Sequence, residues 1–238
     1  MNFFNLVKQD VKNIITNKTI LLFCIVYPSF LIVMFGFLFS DVYRSETVTS
    51  YDYYGVTMIC YLSLQAATIT PTVFMEERIK KANMRIAFSP VTRTEIYASK
   101  LLTTFIFLET AFIIQMIILN ATGLVNYGGE NFGIILMLIT VLLAFSISLG
   151  GAICTIVKSE DLTNKIVGIT INSVAIFSGV FFPIAKLGTF ADNVSNFLPA
   201  KMILNTAFQV IYDNSLSRFC NYNRDKFSFY NNFFSNNS

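Results

Sequence analysis

The sequence predicts an all-α integral membrane protein, a polytopic helix bundle with five transmembrane helices and a cytoplasmic N-terminus. Three observations carry this. The 238 residues are 54% hydrophobic and only 13% charged, against about 25% charged in ordinary soluble domains. Mean hydropathy is +0.60 over the whole chain. Five apolar stretches of roughly 20 residues, each enough to cross a hydrocarbon core, alternate with polar connections.

Residues 1–19 place Phe3, Val7, Val11 and Ile14 on one helical face, with Lys8, Asp10, Lys12 and Asn13 elsewhere. That pattern describes an interfacial amphipathic helix lying along the cytoplasmic surface against membrane lipid. The next run, Ile20 to Phe39, is longer than a secretory h-region of about 7–15 residues and lacks an A-x-A-like cleavage site. It reads as a retained first span, about 20–39, with Pro28 tolerated because neighbouring helices satisfy the freed carbonyl. The second span, about 55–75, is the most polar; Ser63, Gln65, Thr68, Thr70 and Thr72 turn it toward other helices or a cavity. The third, about 101–121, contains Glu109 and Gln115, and the fourth, about 132–157, contains the small-residue string SISLGGA. The fifth is about 166–184. Small residues four apart (Ser148 with Ala152, Ala175 with Gly179) permit close helix approach. After Pro199, the apolar-rich segment of about 198–213 is too short to span and suits a re-entrant or surface helix on the outer side.

Orientation follows from the distribution of Lys and Arg. Lys8, Lys12 and Lys18 precede the first span. Arg78, Lys80, Lys81, Arg85, Arg93 and Lys100 lie between the second and third, and Lys158 and Lys165 between the fourth and fifth. The alternate connections carry only Arg44. The N-terminus, the 76–100 loop and the 158–165 loop are therefore expected in the cytoplasm.

Composition also excludes chemistry. The net charge of +3 is small and scattered, which argues against nucleic acid as a partner, and the chain has no His, the commonest metal ligand and general base. Cys24, Cys60 and Cys154 lie in apolar segments and Cys220 stands alone, with no CxxC spacing. No GxxxxGK[ST] phosphate loop is present, so the chain is not expected to be an enzyme. No cofactor, metal site or catalytic residue is expected. No internal repeat or loop long enough to fold independently is visible.

The largest hydrophilic loop is EERIKKANMRIAFSPVTRTEIYASK, residues 76–100. Ile79, Ala82 and Ile86 share a face at helical spacing, flanked by Arg78, Lys80, Lys81 and Arg85. Ser89-Pro90 breaks that helix, and Thr92 with Glu95 forms a capping box that starts the next one. Two readings stand: a solvated loop carrying positive-inside charge, or a docking element for a cytosolic partner.

These residues resemble the cytoplasmic loop of ABC-2 type transporter permeases, through Glu76, Glu77, Arg78, Ser89, Pro90, Val91, Arg93, Glu95, Lys100 and Leu101. FSGVFFPI (177–184) is similar to the ending of that family's fifth helix through Ser178, Gly179, Phe181, Phe182 and Pro183, and NFLPAKMILN (196–205) resembles its following outer segment. The resemblance covers about residues 1–215 and implies the membrane subunit of a bacterial plasma-membrane exporter. In such a system the chain dimerises with a second permease copy or homologue, and a separate ABC ATPase subunit supplies ATP hydrolysis. The loop then docks on that ATPase, with Glu77, Arg78, Arg93 and Glu95 as rim charges and Ile79 and Ile86 as buried contacts. The alternative is a polytopic protein that binds a partner without transport, as an immunity or assembly factor.

Glu109 sits nine residues from Lys100, about 13–14 Å deep at 1.5 Å per residue. A carboxylate there costs about 2.5–3.5 kcal/mol on insertion scales, so it faces protein or water. It either lines a substrate route or pairs across a dimer, or it is a protonated or hydrogen-bonded structural residue. Gln115 reads more readily as helix–helix glue than as a ligand contact, and Glu160 and Asp161 as solvated.

The resembled family has six spans, and this sequence departs from its pattern after about Ser217. Residues 216–238 form an atypical polar tail in which Arg224, Asp225 and Lys226 sit together among Asn and Ser. In AT-rich codons, a one-nucleotide shift turns Asn-Asn, Asn-Tyr and Tyr-Asn junctions into Ile. Cys220-Asn221 becomes Val, while Phe233-Phe234 remains Phe. A frameshift near Leu216–Cys220 that replaced the sixth helix is therefore expected, with a genuine polar tail as the alternative. The gene's other reading frame decides between them: charges or stops there would refute the frameshift.

Overall fold

Backbone polar groups surrounded by lipid must be satisfied within the chain, which leaves helices for apolar runs of this length. The computed structural model describes residues 3–41, 49–75, 92–181 and 198–212. Among them lie helices α1 (Phe3–Thr16), α2 (Lys18–Leu38), α3 (Ser50–Met75), α4 (Arg93–Ala121), α5 (Phe132–Val157), α6 (Glu160–Ser178) and α7 (Pro199–Tyr212). No strand occurs among the described residues. Four helices, α2 to α5, are long and apolar enough to cross a membrane.

The fifth expected span takes a different form. α6 begins at Glu160, six residues before the expected start at 166, because Ser159 caps it by accepting the Leu162 N–H. Glu160 and Asp161 then occupy the first turn, where acidic side chains complement the helix dipole. The helix closes at Ser178 with Gly179 in the left-handed region, φ 80°, which only glycine enters without strain. Its 19 residues with a charged start do not place it among the four spanning candidates. Residues 182–184 of the expected span lie outside the described residues, as do 76–91 and the tail from 213 onward. α7 is 14 residues long, shorter than a span.

α3 is the axis of the bundle: 72% of its apolar window is buried, against 33% for each of α2, α4 and α5. Its Tyr54, Met58, Ile59 and Leu62 meet Leu108, Phe112 and Met116 of α4 and Ile135, Ile139, Leu142 and Leu143 of α5 in the core. Ser63 and Thr70 are fully buried in α3 and return their hydroxyls to the carbonyls four residues earlier. The polarity of this helix therefore follows from protein neighbours on nearly every side.

The α3–α5 contact is the most extensive among the described residues, and it rests on a proline and a glycine. Pro71 lies inside α3 and has no N–H to return to the carbonyl of Ala67. Gly150 of α5 packs directly on that carbonyl, so close that a Cβ at 150 would overlap the oxygen and lie 2.9 Å from both the carbonyl carbon and Cα of Ala67. Ser148 and Ala152 are instead exposed. The close approach comes from Gly150, on the opposite side of the same small-residue string. Pro28 is accommodated in another way: a π-helical turn, Leu22–Val26, ends two residues before it in α2. Wider turns of this kind relieve the clash between a proline ring and the carbonyl four residues back.

α1 is helical over Phe3–Thr16, but its buried face is not the predicted one. Leu6, Asp10 and Ile14 are buried, while Val11 is exposed. The period of four from Leu6 packs on α4. Phe4, Val11 and Ile15 form a second apolar face that stays exposed.

Candidate functional site

The two ends of the 76–91 connection are helices whose termini the structure describes. Thr92 caps α4: its hydroxyl receives the Glu95 N–H at 3.3 Å, and the Glu95 carboxylate receives the Thr92 N–H at 2.8 Å. The same carboxylate oxygen lies 2.8 Å from the Thr92 hydroxyl. Glu95 therefore fastens the helix start while its side chain remains exposed. Arg93 is the first residue of α4. Glu76, Glu77, Arg78, Ile79, Ile86, Ser89 and Pro90 lie outside the described residues.

Just beyond this cap is a buried charge pair that sequence reading did not find. Lys100 of α4 and Asp10 of α1 are each 3% exposed, with Nζ 3.3 Å from Oδ1. Ser99 donates its hydroxyl to the other Asp10 oxygen at 2.8 Å. Lys100 also donates to the carbonyl of Val73 at 3.1 Å, in the last turn of α3, where helix carbonyls lack intrahelical donors. Its ammonium stands 5.9 Å above the Phe74 ring, and Phe74 meets Tyr97 edge-on. One lysine thus ties together the end of α3, the start of α4 and the middle of α1. Asp10 was expected on the polar face of an amphipathic helix. Only its spacing from Leu6 and Ile14 could have signalled burial, and that spacing gains meaning only with Lys100 as partner.

Within the spanning region, Glu109 and Gln115 lie on α4 but face different helices. Glu109 is half-buried and accepts the Thr140 hydroxyl of α5 at 2.5 Å; Gln115 is buried and donates to the Ser29 hydroxyl of α2 at 2.6 Å. The second carboxylate oxygen of Glu109 and the carbonyl oxygen of Gln115 are buried with no hydrogen-bond partner among the described residues. Gln115 and Ser29 border a groove of about 340 Å³ between α2 and α4, otherwise lined chiefly by apolar groups such as Cys24, Phe107 and Ile114.

A third polar cluster joins α3 to α6. Tyr61 donates to the Asn172 side-chain oxygen at 2.9 Å, and Gln65 donates to the Tyr61 hydroxyl at 2.6 Å and to Asn172 at 3.1 Å. Tyr61 is buried, Gln65 half-buried and Asn172 exposed, so the cluster runs from the core to one side of the bundle at the level of the apolar helices.

The fifth-helix motif is pinned to α3 by two tyrosines. Tyr53 donates to the Gly179 carbonyl at 2.7 Å and Tyr54 to that of Phe181 at 3.3 Å. The Phe181 ring packs against Phe35 and Tyr61. Ser178 is buried with its hydroxyl unpartnered among the described residues, and Phe182 and Pro183 lie outside them. Nearby, Asp52 accepts the Asn126 N–H at 2.6 Å and Tyr127 donates to the Gly55 carbonyl at 3.3 Å, binding the α4–α5 connection to α3.

Cys24, Cys60 and Cys154 are buried free thiols. No group of three or more metal-ligating side chains occurs among the described residues.

A family model described as ABC-2 family transporter protein matches residues 41–223. That interval takes in the 76–91 connection, the Lys100 end of the buried pair and the fifth-helix motif. No curated protein matches the chain.

Proposed function

The chain belongs to the ABC-2 family of transporter proteins, and from that membership we propose that it is the permease subunit of an ATP-driven exporter coupled to a separate ABC ATPase. Membrane transport is the role the family carries, and the four spanning helices fit it. The rest is our reading. The chain crosses a bacterial plasma membrane five times, with its N-terminus and the 76–100 loop in the cytoplasm, and works in a dimer with a second permease copy or homologue. The ATPase binds the loop through Glu76, Glu77, Arg78, Ile79, Ile86, Ser89, Pro90, Arg93 and Glu95. Closure of the ATPase pair moves α3 and α4, and substrate passes by alternating access.

The observation that carries this reading is the family match, which spans the whole loop and both helices leading from it. The polar cluster Tyr61–Gln65–Asn172 supports a route along the α3–α6 side, since an apolar helix surface gains nothing from an amide turned outward unless water, substrate or protein meets it. Glu109 and Gln115, each with an oxygen unpartnered among the described residues, are further polar groups on α4 within the apolar region. α1 lies with Phe4, Val11 and Ile15 against lipid.

Co-expression with the ABC ATPase, followed by purification on the permease, tests the reading. The ATPase co-purifies with the native chain, and Arg93→Glu or Glu77→Arg weakens that association. Unchanged binding in both charge reversals would remove the docking assignment, and no association of the native chain with an ATPase would remove the exporter reading.

A further inference from the structure

We infer that the buried Asp10–Lys100 pair is the joint that carries motion of the 76–91 loop into α1, and through α1 into the first span; the inference rests on the proposed docking of an ATPase at that loop. Three features of the geometry point to it. The pair is placed at the foot of the loop: Val73 is two residues from the end of α3, and Lys100 eight residues beyond Thr92. A push on the loop therefore reaches α3 and α4 directly through the chain. It reaches α1 only through side chains, and the one ion pair that bridges α1 to α4 among the described residues is this one.

The second feature is how completely the two charges are satisfied. Both Asp10 oxygens are occupied, by Lys100 and Ser99, and Lys100 additionally holds the Val73 carbonyl. Each member of the pair thus has a partner besides the other, and separating the two strands a charge away from water. Such a contact passes displacement on rather than absorbing it by sliding, as an apolar interface would.

The third is the connection from α1 to α2. Asn17 alone separates the two helices. It is buried, and its side-chain oxygen accepts the N–H groups of Thr19 and Ile20, capping α2. A shift of α1 has no slack to lose before it reaches α2. The path runs from the loop to Lys100, to Asp10, along α1, across Asn17 and into the span that borders α4 through Ser29 and Gln115. Asp10 and Lys100 are thus positioning residues, which touch neither nucleotide nor cargo.

The test uses the full chain co-expressed with its ABC ATPase and reconstituted in nanodiscs. Spin labels are placed at the exposed positions Lys12 of α1 and Ala98 of α4, and their separation is read by electron paramagnetic resonance without nucleotide and after ATP–vanadate trapping. In the native background the separation is the same in both states, because α1 follows α4. In Asp10→Asn the ATPase still co-purifies at the native ratio, but trapping produces a second, shifted distance population. Lys100→Arg, which keeps the charge, retains native behaviour. Ser99→Ala, which loosens Asp10 without stranding a charge, gives the same shift in a smaller fraction and covers the case in which Asp10→Asn does not fold. If ATPase remains bound and Asp10→Asn and Ser99→Ala both keep a single unchanged distance, the joint is refuted while the exporter reading stands. If the native chain binds no ATPase, the exporter reading itself fails and takes the joint with it.

Discussion

Adding one methyl group at Gly150 should loosen the whole bundle. The new Cβ would overlap the Ala67 carbonyl oxygen and lie 2.9 Å from two further backbone atoms. These belong to a helix interior, so no rotamer change relieves them; α3 and α5 must move apart. Overpacking of this kind costs about 1–3 kcal/mol, and the α3–α5 contact is the most extensive among the described residues, so the separation is felt along most of both helices. Substituting alanine for glycine in a helix otherwise stabilises by roughly 0.5–1 kcal/mol. The clash must exceed that gain for the net effect to be a loss.

The structure supplies its own controls. Gly133, in the same helix, and Gly168 in α6 have no atom within 4 Å of an added Cβ. Gly133→Ala and Gly168→Ala should therefore be neutral or stabilising, while Gly150→Ala lowers stability. Relative to Gly133→Ala, which carries the same propensity gain, a clash of about 1–3 kcal/mol at roughly 2–4 °C per kcal/mol for a chain of this size becomes a fall of about 2–12 °C in the thermal midpoint. The assay is loss of monodisperse protein in detergent on heating, with all three variants measured at one scan rate. A Gly150→Ala midpoint equal to that of Gly133→Ala would refute the close approach of α5 to the Pro71-freed carbonyl.

Further substitutions probe other parts of the same framework. Lys158 adopts φ 57° where α5 ends; Lys158→Gly should gain up to about 1 kcal/mol by releasing a left-handed residue, and Lys158→Val should lower the midpoint. Tyr53→Phe removes the hydrogen bond to Gly179 at a cost of about 0.5–1.5 kcal/mol, seen as a lower midpoint; an unchanged midpoint would detach the fifth-helix motif from α3. A double-mutant cycle of Gln65→Leu and Asn172→Leu should give a coupling of about 0.6 kcal/mol, the average for hydrogen bonds between membrane helices. Zero coupling would mean that the two amides do not meet.

What the sequence disclosed and what it concealed divide along a physical line. Long apolar runs identified the spanning helices α2 to α5 because length and hydropathy are local properties. The Thr92–Glu95 capping box was equally legible, since both partners lie within one turn. The start of α6 lies before its apolar run because hydropathy marks where a helix becomes apolar, whereas Ser159 and the two carboxylates after it mark where the helix begins. The Asp10–Lys100 pair was hidden for another reason: its members are 90 residues apart, and each alone resembles an ordinary surface charge. Gly150 was obscured within a string of small residues, any of which could have faced a neighbour. Gly151 packs on Tyr97 and Leu101 of α4, and only the position of Pro71 on the opposing helix marks Gly150 as the residue that meets its freed carbonyl.

The two ends of the bundle are held by different physics, and the difference bears on how it could move. At one end α3 is tied to α2, the segment after α6 and the α4–α5 connection by hydrogen bonds from Ser50, Tyr53, Tyr54 and Tyr127 to backbone carbonyls and by the Asp52 carboxylate accepting the Asn126 N–H. Each is individually modest, and they are spread over several elements, so one can be exchanged without collapse of the others. At the other end, the last turn of α3 is tied through the Val73 carbonyl to the desolvated Asp10–Lys100 pair of α1 and α4, for which any partial separation is costly. On the proposed docking of an ATPase at the loop, an input there meets a stiff joint, while the opposite end offers many small contacts that can rearrange in turn. That polarity suits a device driven from the loop side: the stiff end keeps its geometry under load, and the compliant end is where a passage would open.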